Sequence, residues 1–144
     1  MVRRLQRRGE SVALTNGCFD LLHAGHLRYL EQTKRLADVL IVAINSDASV
    51  RRLKGPSRPY VPAQDRARLV AALKPVDYVT LFSESTPIRV IRALRPDVLV
   101  KGADWKGKGV VGRREVESWG GRVVLMPYLK GRSTTSLVEK IQGS

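Results

Sequence analysis

Apolar residues along this chain gather in short, nearly unbroken runs, separated by stretches where they recur every three or four positions. The runs "SVALTNG" (11–17), "ADVLIVAIN" (37–45), "DYVTLF" (77–82), "DVLVKG" (97–102) and "GRVVLMP" (121–127) read as strands. Near-continuous apolarity of this kind suits strands covered on both faces. The stretches between them predict helices from Gly25 to Leu36, over "SDASVRRL" with Ser46 or Asp47 as N-cap, from Pro62 to Leu73, over "TPIRVIRAL", from Arg113 to Trp119 and over "STTSLVEKI". "KGPSRPYVP", from Lys54 to Pro62, carries three prolines and a glycine and reads as a loop. Residues 1–10 form a short basic helical segment ahead of the first strand. Strands alternating with helices at this spacing imply right-handed crossovers, hence a doubly wound, Rossmann-like α/β domain: five parallel strands with helices on both faces. Ligands of such sheets bind outside the carboxyl ends of the strands, where "TNGCFD", "NSD" and "KGADW" fall.

With 144 residues, no repeat and no second core, the chain is expected to be one domain, residues 1–144. No run approaches the roughly 20 apolar residues of a membrane span, and "MVRRLQRRGE" lacks a signal peptide's apolar centre, so a cytoplasmic location without membrane attachment is expected. Cys18 is the only cysteine, which excludes an intramolecular disulfide and a cysteine-cluster zinc site. By itself it reads as a small buried filler beside the first strand. The formal net charge of +13 sets up a field that attracts anions such as nucleotides, sugar phosphates or nucleic acids. Many of the arginines, Arg51, Arg52, Arg66 and Arg68 among them, read as lying on solvated helix faces.

His23 and His26 stand three residues apart where a strand, a turn at Gly17 and a helix start follow one another, a spacing that puts both on one side of the helix. Three readings compete. A catalytic zinc wants three protein ligands and no third histidine exists. Packing or capping of the helix is the plain structural alternative. The third reading uses the free N–H groups and positive dipole end of the helix as an anion site, with imidazoles donating to phosphate oxygens. Ser133, Thr134, Thr135 and Ser136 cluster hydroxyls at the start of the last helix as a second such site, although Ser136 and Glu139 also fit an N-terminal capping box. No GxxxxGKS and no GxGxxG follows the first strand, so P-loop and dinucleotide readings fail.

"GCFDLLHAGH" resembles the His-x-Gly-His motif of the nucleotidyltransferase superfamily that contains cytidylyltransferases and phosphopantetheine adenylyltransferase, and "STTS" resembles its second motif. "NSDASVRRLKGPSRP", "DVLVKGADW", "GGRVVLMP" and "GRSTTSLVEKI" are similar to the adenylyltransferase domain of ADP-heptose synthase, so the resemblance runs from about Leu5 to Ile141. It implies transfer of AMP from ATP, with Mg²⁺, to D-glycero-β-D-manno-heptose 1-phosphate, giving ADP-heptose for lipopolysaccharide core and pyrophosphate. The mechanism implied is direct in-line attack without a covalent enzyme intermediate. A homodimer and a separate heptose kinase in the same pathway are implied as associates.

On the same resemblance, His23, His26 and Lys54 are the catalytic candidates. Gly17, Cys18, Phe19, Gly25, Lys101, Gly102, Asp104, Trp105, Ser133, Thr134 and Thr135 would surround the nucleotide. Asp20, Asn45, Asp47 and Arg58 would support or reach the acceptor. The chain reads "KGADW" where heptose enzymes look like "KGGDY", and its DW pair is similar to a glycerol-phosphate cytidylyltransferase. CTP with glycerol 3-phosphate or another alcohol phosphate is therefore the alternative chemistry. A basic nucleic-acid-binding module is the alternative from another class, and few aromatics and no RNA-binding motif speak against it.

Overall fold

The computed structural model describes residues 1–102, 109–127 and 140–142. Five strands, β1 (Val12–Gly17), β2 (Val39–Asn45), β3 (Tyr78–Phe82), β4 (Val98–Gly102) and β5 (Arg122–Met126), form one sheet in the order β3-β2-β1-β4-β5. All four pairings are parallel, Leu14 for example lying between Ile41 and Leu99. The helices are α1 (Val2–Arg7), α2 (Ala24–Lys34), α3 (Asp47–Lys54), α4 (Ala63–Ala71), α5 (Ile88–Leu94) and α6 (Arg113–Ser118). The doubly wound sheet expected from the sequence is the one observed. Helix termini shift by a residue or two, because Pro62 and Pro87 act as N-caps rather than first-turn residues and His23 caps α2 ahead of Gly25. Of the last predicted helix only residues 140 and 141 are described, as helix that runs on to residue 142; its remainder lies outside the described residues.

Each buried strand sorts its side chains by parity. Ala13, Leu40, Val42, Ile44, Val98 and Val100 pack with Tyr29 and Leu30 of α2 and Val70 of α4. Val12, Leu14, Val39, Ile41, Ala43 and Leu99 pack on the opposite face with Val2 of α1, Ile91 of α5 and Val116 of α6. This explains the unbroken apolar runs: with helices on both faces, alternation has no solvent side to serve.

An aspartate just ahead of three of the strands ties the amino-terminal rim. Asp38 accepts from Ser11 N, Asp77 from Leu40 N and Asp97 from Val12 N, at 2.8 Å each. These carboxylates satisfy strand N–H groups that the ladder leaves over. The amino-terminal rim is thus used for structure. Winding reverses between β1 and β4, so the crevice above their carboxyl ends is where this topology leaves room for a ligand.

Candidate active site

β1 ends at Asn16 and Gly17, and the chain turns through Cys18–Leu21 before His23 caps α2. Phe19 (φ 51°) and Leu21 (φ 49°) both sit in the left-handed region, uncommon for residues with a Cβ and characteristic of segments held by their surroundings. The restraint is visible. The Asp20 carboxylate, 1% exposed, accepts from Tyr60 N (2.9 Å), Val61 N (3.0 Å) and Arg58 Nε (3.1 Å). The Phe19 ring folds back over Gly17, where an added Cβ would come within 3.0 Å of it. A side chain at position 17 would push the Phe19 ring back by a few tenths of an ångström.

The two histidines are interlocked with the helix start. His23 Nδ1 accepts from Gly25 N (3.0 Å), and His26 Nδ1 accepts from His23 N (3.2 Å). With both Nδ1 atoms acting as acceptors, the neutral rings carry their proton on Nε2. The ring centroids stand 3.9 Å apart, and Phe19 lies 5.4 Å from His26. Burial first, then the nearby His23 and Lys54, lower the His26 pKa from 6.5 to about 4, so this imidazole is neutral at neutral pH. It is suited to donating a hydrogen bond rather than to serving as a cation. Burial likewise pushes the Cys18 thiol up, against the opposing pull of Lys54, Arg66 and Arg58. A thiol held protonated is a poor nucleophile.

The His26 shift makes stability depend on pH with a definite sign. As pH falls through 6.5 the unfolded chain takes up a proton that the folded ring refuses until about pH 4, so stability is lost across that window and levels off below it. The loss amounts to up to about 3 kcal/mol. Urea unfolding of wild type and His26→Gln between pH 7 and 4 checks this; equal pH slopes in the two proteins would refute it.

Among the described residues, two chambers open at this rim. The smaller, about 140 Å³, is lined by Asn16, Gly17, Cys18, Phe19, Asp20, His26, Tyr29 and Lys54. The larger, about 570 Å³, is bordered by Asn45, Leu53, Phe82, Ser85, Thr86 and Lys101 among others. Asn16, Gly17, Cys18 and Lys54 line both, so Lys54, at the exposed end of α3, stands where they join. Lys101, 7% exposed, donates to Asn16 Oδ1 across the β1–β4 switch point.

The remaining candidates are placed as follows. Gly25 is buried in the first turn of α2, and Gly102 ends β4. Asn45 donates from Nδ2 to Ser49 Oγ (2.9 Å). Asp47 Oδ1 accepts from Ala63 N (2.9 Å) and Arg66 Nη2 (2.8 Å), securing the start of α4. Arg58 lies over the Tyr60 ring, 4.7 Å from its centroid, with Nε committed to Asp20. Neither Arg58 nor Asp47 lines either chamber. Asp104, Trp105, Ser133, Thr134 and Thr135 lie outside the described residues.

Arg66 corrects the sequence reading. It does not lie on a solvated face but is fully buried, and it donates to Val61 O (2.8 Å), Cys18 O (2.7 Å), Asn45 O (2.8 Å) and Asp47 Oδ1 (2.8 Å). A planar guanidinium has the donors to join the ends of β1 and β2 to the loop before α4 in one step. Ser85 and Thr86, which line the larger chamber, were not legible, since nothing in their local sequence marks them.

A strand–turn–helix unit places paired imidazoles above a topological switch point, and comparison with known proteins fixes the class. Residues 14–138 match the cytidylyltransferase-like family, and the chain belongs to it. Within that class it is 56% identical over 136 residues to the bifunctional protein HldE of Syntrophotalea carbinolica, covering 94% of this chain and 28% of that protein. It is 57% identical over 134 residues to HldE of Trichlorobacter lovleyi, covering 93% of this chain and 27% of that protein. The chain thus spans less than a third of these relatives' length. A lipopolysaccharide core biosynthesis protein from Thermoplasma volcanium has a similar solved structure, with a TM-score of 0.69 and 29% identity, covering 85% of this chain and 98% of that one. Among the described residues no helix is long and apolar enough to cross a membrane.

Proposed function

We propose that this chain is a sugar-phosphate adenylyltransferase that moves AMP from Mg²⁺-bound ATP to D-glycero-β-D-manno-heptose 1-phosphate, releasing pyrophosphate. The observation that carries the reading is His26 at the α2 N-terminus, which lines the small chamber with Nδ1 taken by the His23 N–H and its proton assigned to Nε2. Such a group donates to phosphate oxygens without moving a proton, which is what in-line phosphoryl chemistry asks of a protein. The identity with HldE proteins and the likeness to a lipopolysaccharide core biosynthesis protein support the acceptor.

In this reading a phosphate oxygen of the acceptor attacks the α-phosphorus of ATP, the bond to the bridging oxygen breaks, and pyrophosphate leaves. His23 and His26 stabilise the charge on the nucleotide phosphates, and Lys54 supplies a positive charge where the chambers join. Asp20 and Arg66 hold the turn and the strand ends in place. Mg²⁺ bound to ATP would supply further positive charge against the triphosphate. The protonated Cys18 agrees with the absence of a covalent enzyme intermediate.

The test supplies ATP or CTP with heptose 1-phosphate or glycerol 3-phosphate and follows pyrophosphate. Turnover is expected with ATP and the heptose phosphate. Preference for CTP and glycerol 3-phosphate would replace this reading with the cytidylyltransferase one.

A further inference from the structure

We infer that Arg52 is a positioning residue: by fastening the exposed half of α3 to the β3–α5 connection, it holds the Lys54 ammonium where the two chambers join. The inference rests on the proposed transferase reading, in which that ammonium stands beside the transferring phosphate, and extends it to a side chain that lines neither chamber.

The two halves of α3 are held differently. Its start is secured several times over. Ser46 N donates to Phe82 O (2.9 Å), Ser46 Oγ accepts from Ser49 N (3.2 Å), and Asp47 accepts from Ala63 N and Arg66. Ser49, fully buried beside Val50, accepts from Asn45 Nδ2 (2.9 Å) and donates from Oγ to Glu84 O (3.2 Å). From Arg51 to Lys54, by contrast, every residue is exposed. Among the described residues the only side-chain hydrogen bond from this last turn is that of Arg52, whose Nη2 donates to Ser83 O. Ser49 and Arg52 share one side of the helix at i, i+3, so both ties reach the same connection. Lys54 has no hydrogen-bond or ion-pair partner among the described residues, and its four-carbon stem is flexible. Its charge is therefore delivered only as precisely as the helix end that carries it, about 3 Å along the axis from Arg52.

A double-mutant cycle between Arg52→Ala and Lys54→Ala tests this, read in kcat with the nucleotide and acceptor that wild type turns over. Position 52 is exposed, so Arg52→Ala is expected to fold and melt like wild type. It is expected to lower kcat about 3- to 10-fold, the range that one net hydrogen bond converts to, and to have no further effect once Lys54 is alanine. An equal loss in both backgrounds would make Arg52 act independently of Lys54 and overturn the inference, as would wild-type kcat in Arg52→Ala. A second readout needs no substrate. Lys54 is one of the groups that lower the His26 pKa. In NMR titrations of the His26 ring, Arg52→Ala is expected to raise that pKa when Lys54 is present and to leave it unmoved in Lys54→Ala. The same shift in both backgrounds, or in neither, overturns the inference. Failure of wild type to turn over heptose 1-phosphate defeats the functional reading instead, and leaves the titrations to decide this inference.

Discussion

Arg66→Met is expected to destabilise the protein by about 3–5 kcal/mol, the range for breaking a buried charged network by removing one partner. The reason is the number of acceptors one side chain serves. Without the guanidinium, the carbonyls of Val61, Cys18 and Asn45 lose donors supplied from a fully buried residue. An orphaned buried acceptor costs about 1–3 kcal/mol, which applies in full to Asn45 O, while the part-buried carbonyls of Val61 and Cys18 each lose less. Asp47, whose side chain is 38% exposed, recovers part of its loss from water, so the carbonyls dominate. In a domain of this size the cost corresponds to a fall in melting temperature on the order of 10 °C. Arg66→Lys is expected to recover little of it, because one ammonium cannot span acceptors on three segments. Melting curves for both variants decide the matter, and a methionine variant that melts with wild type would show that the network contributes nothing net.

Arg66 also shows where reading the sequence reaches its limit. In "AQDRARLVA" two arginines stand two apart, Arg66 buried and Arg68 exposed, and no local rule separates them. What buries Arg66 is a pair of carbonyls 48 and 21 residues away along the chain, at Cys18 and Asn45. Asp20 is similar: its place in the histidine motif is visible, but its work on residues 58–61 crosses about 40 positions. The strands were legible because burial on both faces writes itself into consecutive residues. The imidazoles were legible because strand, turn and helix start are local signals. The larger chamber was not, because Phe82, Ser85, Lys101 and Val110 meet only once the sheet has wound around its switch point.

His26→Ala is expected to lower kcat about a hundredfold while the protein stays folded, since one donor aimed at charge that develops in the transition state is worth about 3 kcal/mol. Alanine also removes the acceptor for His23 N, so a loss of rate in that variant mixes two causes. His26→Asn separates them. An asparagine side-chain oxygen can accept from His23 N and keep the helix start closed, as asparagine does at caps generally, while its reach is too short to reproduce the imidazole Nε2–H. If that donor carries the effect, kcat falls about as far in the asparagine variant as in the alanine one, and KM for ATP changes less than kcat does. If the asparagine variant turns over like wild type while alanine does not, His26 is a positioning residue acting through His23. Retention of wild-type kcat in both variants would leave the imidazole pair with a purely structural role and remove the main support for the proposed chemistry.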